Sequence, residues 1–207
     1  MDVYTAIEAR RTIRDFQDKE VPKGVVKKII TAGFKAPTND HLRHWEFVLV
    51  NNKEQREKVL RIESYGNSDE INSCLDNWGL HDETQRAMYV DALPKQFAML
   101  YNAGCLILPF FRNKKTLLQP ETLSELNGFA SIWCCIENML IAAASEGIFG
   151  VTRIPMVEES EHIKKVIGHP NDYVMPCYIA LGYPTNDAAR AQQKQISIED
   201  RIHNNTW

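Results

Sequence analysis

Residues 121–146 read ETLSELNGFASIWCCIENMLIAAASE and form the longest periodic segment of the 207-residue chain. Apolar residues such as Phe129, Ile136 and Ala143 recur at helical spacing and, with their neighbours, cover most of the circumference. A helix with so little polar surface has to bury more than one of its sides. We therefore expect it to cross the core of the fold or to lie at an interface between subunits.

Shorter elements flank this segment on both sides. Short β-branched or apolar runs predict strands at 45–50, at 105–111, after Gly147 and Gly150, and at 173–181. Capping residues and helical spacing predict helices after Asp2, from Pro22 to Gly33, at 53–62 and at 158–167. Pro109 lies inside a predicted strand but has no amide proton to donate. We therefore expect it on an edge strand or at a position where the neighbouring strand accepts no hydrogen bond. The alternation of helices and strands predicts an α/β or α+β sandwich.

Two stretches depart from this regular pattern within what we expect to be a single domain over 1–207. Residues 63 to about 98 are polar, with Gly66, Gly79 and Pro94 and the aromatics Tyr65, Trp78 and Tyr89, and we interpret them as a helical excursion. The tail at about 185–207 is polar but ends on isolated apolar residues, which is typical of a segment that packs on another surface. A partner subunit is the natural candidate for that surface.

Composition limits the function classes. The chain has 24 basic and 27 acidic residues and a net charge of −3, which argues against nucleic acid and anionic membrane surfaces as partners. No apolar run approaches the roughly 20 residues of a membrane span. The five cysteines are odd in number and lie mostly in apolar runs, so we expect a reducing, cytoplasmic location.

Motifs for several reaction classes are missing. The sequence has no GxGxxG, GxxxxGK[ST], GxSxG or HExxH pattern. Its six histidines show no ligand spacing with the cysteines, so we expect no metal site. Protein side chains alone therefore do not indicate a catalytic mechanism.

Two polar blocks remain as candidate sites. Residues 10–14, RRTIR, place three guanidinium groups beside a hydroxyl, which can bind phosphate through charge-assisted hydrogen bonds. The alternative is a solvated patch in which Arg14 pairs with Asp15 or Asp18. Residues 36–45, APTNDHLRHW, form a polar loop beside a strand, which is either a binding loop or a helix-ending turn.

Further stretches accompany these two blocks along the chain, and in order they read EARRTIRDF (8–16), APT (36–38), WEFVLV (45–50), YNAGCLIL (101–108), IENMLIAA (136–143), GIFG (147–150) and ALGYP (180–184). Taken in this order, they resemble the nitroreductase family. No single stretch is specific, but together they span nearly the whole chain in the family's order. The resemblance implies an α+β sandwich with a central, mostly antiparallel sheet surrounded by helices.

The resemblance also implies an FMN site shared by the subunits of a homodimer. Arg10, Arg11, Thr12 and Arg14 would bind the phosphate and ribityl chain, with Lys194, or Arg190 in its place, as a further cation. The flavin ring would be lined by Pro37, Thr38, Asn39 and His41 and covered from the other side by Gly150, Arg153, Ile154 and Pro155. The excursion at 63–98 would be either a lid over this pocket or a structural cap or dimer arm.

The implied reaction needs no catalytic side chain, because flavin N5 carries the hydride. NADH or NADPH would reduce the flavin, and a small electron-poor acceptor such as a nitroaromatic or a quinone would reoxidise it in ping-pong turnover. The family usually has Asn, Gln and Pro where His41, Arg43 and His44 stand, so the polar contacts of the ring are altered. Two alternatives stay open: different flavin chemistry on this fold (dehalogenation, dehydrogenation or flavin breakdown), and a flavin-binding dimer without turnover.

Overall fold

The computed structural model describes residues 1–62, 68–115 and 117–207. The helices are α1 Val3–Ala9, α2 Lys23–Gly33, α3 Lys53–Val59, α4 Ser68–Asn77, α5 Glu83–Ala92, α6 Ala98–Tyr101, α7 Asn127–Ser145 and α8 Val157–Ile167. The strands are β1 Trp45–Val50, β2 Cys105–Arg112, β3 Phe149–Arg153, β4 Tyr173–Val174 and β5 Tyr178–Gly182. The predicted strands are thus confirmed, with the last run divided into β4 and β5.

The strands form one antiparallel sheet in the order β1-β2-β5-β3, with β4 also paired to β2. Pro109 is tolerated in the central strand β2 because of a gap in the pairing. The Arg112 amide donates to His44 O on the β1 side, and alternate residues of a strand point their amides the same way. The nitrogen of Pro109 therefore points to the opposite side of β2. On that side β5 pairs with β2 up to Ile107 and β4 pairs with it from Phe111, so no strand partner needs an amide proton from Pro109.

The two faces of the sheet carry separate hydrophobic cores. Alternate residues of β2 divide between them, with Ile107 in the core under α2 and α7 and Leu108 in the core under α3, α6 and α8. Helices α2 and α7 also pack on each other. The α+β sandwich with an antiparallel sheet enclosed by helices is therefore confirmed.

The long helix α7 is shorter than predicted, because residues Leu123–Leu126 form a 3-10 turn before it. The turn and helix together, Leu123–Ser145, have 23 residues, and an 18-residue stretch within them has a mean hydropathy of 1.4, with 33% of that stretch buried. By length and composition alone, this segment could cross a membrane. This segment was missed as a membrane-span candidate in the sequence because polar residues such as Glu137 divide its apolar residues. Core helices of other folds can have the same length and composition, and α7 contacts α1, α2, β2 and β3.

Helix α3 also ends earlier than predicted. Leu60 takes up an extended conformation, with φ −87° and ψ 111°, and its amide closes the last turn by donating to Arg56 O. The Arg56 guanidinium is buried and donates to the carbonyls of Val50, Tyr101 and Ala103. These bonds fix the end of β1 and the chain before β2 to the same helix.

Helices α4 and α5 occupy most of the predicted excursion. They pack around a small core of Ile71, Leu75 and Leu93, beside an edge-on contact between Trp78 and Tyr89. Tyr65 and Gly66, which we also assigned to the excursion, lie outside the described residues. Whether this unit is a lid or an arm stays a prediction.

The cysteines behave mainly as core residues, as their apolar surroundings predict. Cys105, Cys135 and Cys177 are buried, and none of the five cysteines forms a disulfide. Burial raises the pKa of the Cys105 thiol to about 11 and that of Cys135 to about 12. Cys134 is exposed on α7.

Candidate functional site

The arginine block lies along the edge of the sheet beside β3. Thr12 and Gly150 form a parallel bridge, and the Ile13 amide donates to Gly150 O at 3.2 Å. Ile13 is buried, so its side chain anchors this extended segment in the core. Gly150 also has a structural role in the sheet, because a Cβ there would lie 2.3 Å from Ala180 O.

A cavity of about 240 Å³ opens between this segment, β3 and α7, and we call it the arginine pocket. It is lined by Arg10, Arg11, Thr12, Trp133, Ile136, Glu137, Leu140, Phe149, Gly150, Val151 and Thr152. Four of the predicted site residues, Arg10, Arg11, Thr12 and Gly150, are therefore brought together. Guanidinium and hydroxyl donors that line one cavity suit a phosphate group.

The two arginines of the pocket have different partners. Arg10 forms an ion pair with Glu137 of α7, with Nε 3.3 Å from the carboxylate oxygen. Arg11 donates to the carbonyls of Glu8 and Arg10 at the end of α1, a place where cations stabilise a helix. In the described part of the chain, no carboxylate pairs with Arg11.

Arg14 does not join this pocket. Its guanidinium donates a hydrogen bond to Asp91 of α5 at 3.1 Å. The Lys95 ammonium donates to the same carboxylate and also to the carboxylate of Asp15. Partial burial works to lower the pKa of Lys95, but the hydrogen bonds to Asp15 and Asp91 outweigh it and raise the pKa. The alternative pairing of Arg14 with Asp15 or Asp18 was wrong, because the partner comes from the excursion.

The polar loop at 36–44 is held in a strained conformation. His41 and Arg43 have φ values of 60° and 48°, in the left-handed region that costs about 1–3 kcal/mol for residues other than glycine. Arg43 secures the loop by donating to the carbonyls of Phe34, Ala36 and His41 at 3.0–3.4 Å. Arg43, one of the three residues that depart from the resembled family, thus ties the loop to the end of α2.

The predicted loop residues face a second, smaller cavity of about 70 Å³, which we call the loop pocket. Thr38 and Asn39 line it together with Ser131 of α7. Asn39 accepts a hydrogen bond from Asn127 at 3.2 Å, which fixes its side chain. Pro37 and His41 are exposed and present their side chains to solvent.

The arginine pocket and the loop pocket lie on opposite sides of α7 within one chain. Ser131 lines the loop pocket and Leu140 lines the arginine pocket. These residues are separated by about two and a half helical turns, so their side chains point in opposite directions. The two halves of the predicted flavin site therefore do not meet in a single chain.

Arg153 ends β3 in a buried cluster. Its guanidinium donates to both carboxylate oxygens of Glu159 at 2.5 and 2.7 Å and to Gln96 at 2.7 Å. Glu159 also accepts the Met156 amide at 3.3 Å and so caps α8. The Glu159 carboxylate thus contacts the residues at both ends of the turn 154–156 and holds it in place. Within this turn, Ile154 is 65% exposed and Pro155 is half-buried.

Lys194 does not line the arginine pocket of its own chain. Its ammonium forms an ion pair with Asp82, the N-cap of α5, at 2.5 Å. Every residue from 189 to 207 is exposed, including Ile196, Ile198 and Trp207.

Sequence reasoning missed Trp133 and Glu137 in the arginine pocket, and Asp91 and Glu159 as partners of the arginines. Glu137 is a charged residue in the mostly apolar segment of α7, and this contrast could have indicated a polar contact there. The contacts of Asp91 and Glu159 depend on the fold, so no local pattern indicates them.

Comparison with known proteins gives a consistent result. Residues 7–183 match the model of the Nitroreductase family. A Methanothermobacter thermautotrophicus protein, named a candidate NADH dehydrogenase/NAD(P)H nitroreductase, is 28% identical over 211 residues, 100% of this chain and 88% of that protein. An iodotyrosine deiodinase of Haliscomenobacter hydrossis is 20% identical over 90% of this chain and 81% of its own.

A solved structure shares the fold. An iodotyrosine deiodinase bound to FMN and 3-iodo-L-tyrosine superposes with a TM-score of 0.71 at 16% identity, over 100% of both chains. At this identity the likeness concerns the fold alone.

Proposed function

Because the chain belongs to the nitroreductase family, we propose that it is an FMN-dependent oxidoreductase. It would take hydride from NADH or NADPH and pass it to a small electron-poor acceptor such as a nitroaromatic or a quinone. The observation that carries this proposal is the arginine pocket, where Arg10, Arg11 and Thr12 surround one cavity beside β3.

The residues of the arginine pocket fit part of the cofactor. Two guanidinium groups and a hydroxyl suit a phosphate and the first oxygens of a ribityl chain. A volume of about 240 Å³ is below the roughly 300–1,000 Å³ of complete ligand pockets. The flavin ring therefore has to extend beyond this cavity.

A second copy of the chain would supply the missing wall. In a two-fold symmetric dimer, the loop pocket of one chain can face the arginine pocket of the other, although they lie on opposite sides of α7 within one chain. The exposed apolar residues of the tail and of α1, such as Trp207 and Tyr4, support such an interface. We propose that the tail packs on the partner.

When bound, FMN supplies the hydride chemistry, and the protein supplies binding and orientation. Arg10, Arg11 and Thr12 would hold the phosphate end. The brace of Arg153 and Glu159 would fix the turn 154–156 against the ring, and Thr38 and Asn39 would bind its polar edge from the partner. The absence of disulfides among the five cysteines supports a reducing compartment such as the cytoplasm.

Hybrid dimers test the shared site. We expect homodimers of Arg11→Ala, which weakens the arginine pocket, and of Thr38→Ala/Asn39→Ala, which weakens the loop pocket, to leave their sites largely empty at an FMN concentration that fills most wild-type sites. Random mixing of equal amounts of the two variants makes about half of the dimers hybrids, and each hybrid has one intact site of two. The mixture should therefore recover about one intact site in four. Equilibrium dialysis with FMN measures the recovered stoichiometry.

Two controls make this result interpretable. Self-mixing of either variant should restore nothing, and a mixture of wild type with itself should keep full stoichiometry. Failure of the mixed variants to recover binding, with subunit exchange verified by mass spectrometry, would show that each site belongs to one chain.

The sequence relative named iodotyrosine deiodinase favours reductive dehalogenation as a second candidate activity. The two activities differ in the acceptor that reoxidises the reduced protein. Stopped-flow mixing of the reduced protein with a nitroaromatic, a quinone or a halogenated phenol distinguishes them by the rate of reoxidation.

A further inference from the structure

From the ion pair inside the arginine pocket, we infer that Glu137 competes with the cofactor phosphate for Arg10 and thereby weakens FMN binding. The inference rests on the proposed function, because it concerns the same pocket. It goes beyond that function by assigning a residue that sets how tightly the phosphate end is held.

The geometry places an acidic group inside a predicted anion site. Glu137 lines the same cavity as Arg10, Arg11 and Thr12, and its carboxylate oxygen lies 3.3 Å from Arg10 Nε. Glu137 lines this cavity and its side chain is 51% exposed, so its charge is not buried in the core. A phosphate that binds Arg10 therefore meets a carboxylate already in contact with the same guanidinium.

The charge balance of the pocket shows why this matters. Arg10 and Arg11 contribute two positive charges and Glu137 removes one, while Arg14 is paired elsewhere with Asp91. A phosphate group carries up to two negative charges, so like-charge repulsion from Glu137 offsets part of the attraction. Arg11 is then the principal cation for the ligand.

Glutamine is the suitable replacement for testing the charge of Glu137. Glutamine has nearly the same shape as glutamate but no charge. Glu137→Gln therefore removes the competing charge while leaving a side chain that fills the same space.

The experiment compares FMN with riboflavin, which lacks the phosphate, on full-length protein freed of flavin. Flavin fluorescence quenching gives both dissociation constants. We expect Glu137→Gln to tighten FMN about three- to tenfold and to leave riboflavin unchanged, with the gain shrinking at high salt. Glu146→Gln is the matched control, because it removes the same charge from the end of α7, where Glu146 pairs with Lys28.

Each other outcome overturns the inference. Unchanged or weaker FMN binding in Glu137→Gln would show that Glu137 does not compete, and the proposed function would stand. An equal gain for riboflavin, or an equal gain from Glu146→Gln, would mean that the phosphate is not the group affected. Wild-type protein that binds neither flavin would overturn both this inference and the proposed function.

Discussion

Replacing Glu159 with alanine is expected to lower the free energy of unfolding by about 3–5 kcal/mol, the usual cost of leaving a buried charge without its partner. The side chains of Arg153 and Glu159 are only 12% and 8% exposed, so water cannot readily replace the lost carboxylate. The same change removes the cap from the Met156 amide at the start of α8. The turn 154–156 should then lose its fixed position.

Urea unfolding followed by circular dichroism measures this loss. Glu158→Ala is the matched control, because Glu158 is the preceding residue and is exposed, and it should cost less than about 1 kcal/mol. If the two variants lose the same stability, the carboxylate of Glu159 does not brace the turn. The double variant Arg153→Ala/Glu159→Ala should lose less than the sum of the single changes.

Replacing Arg11 with alanine is expected to weaken FMN binding about 10- to 150-fold, because a hydrogen bond to a charged group contributes about 1.5–3 kcal/mol. Arg11 has no carboxylate partner in the described part of the chain, so its charge is available to a phosphate. Its bonds to the end of α1 are worth less, and the loss of helix stability should be below about 1 kcal/mol.

Titration of flavin-free protein with FMN measures the effect, and riboflavin serves as the ligand without phosphate. Lys165→Ala removes the same charge from an exposed position on α8 and should leave the affinity unchanged. A tenfold loss for FMN with no loss for riboflavin fits a phosphate contact. Equal losses for both flavins would place Arg11 away from the phosphate.

The fold was largely predictable because its signals are local. The β-branched run of β1, the apolar run of β2 and the periodic helix α7 each carry their own pattern, and the order of the blocks resembles one family. The boundary errors have local causes too. Helix α7 begins at Asn127 and not at Glu121 because a 3-10 turn precedes it, and α3 stops when Leu60 becomes extended.

The candidate site was predictable only in part, because its geometry depends on contacts distant in sequence. The RRTIR block suggested one cluster, yet Arg14 turns to Asp91, which lies 77 positions later. Arg43 looked like an altered flavin contact, whereas its guanidinium clamps the carbonyls at the end of α2. The separation of the two pockets across α7 follows from packing, which no motif describes.

The most direct test of the central claim is the visible absorption spectrum of the FMN-loaded protein during anaerobic addition of NADH and then NADPH. We expect one of the nucleotides to bleach the flavin band and a nitroaromatic or quinone to restore it. A bound flavin that neither nucleotide bleaches would contradict the assignment of NAD(P)H as donor. A protein that stays colourless after incubation with FMN would contradict the assignment of a flavin site.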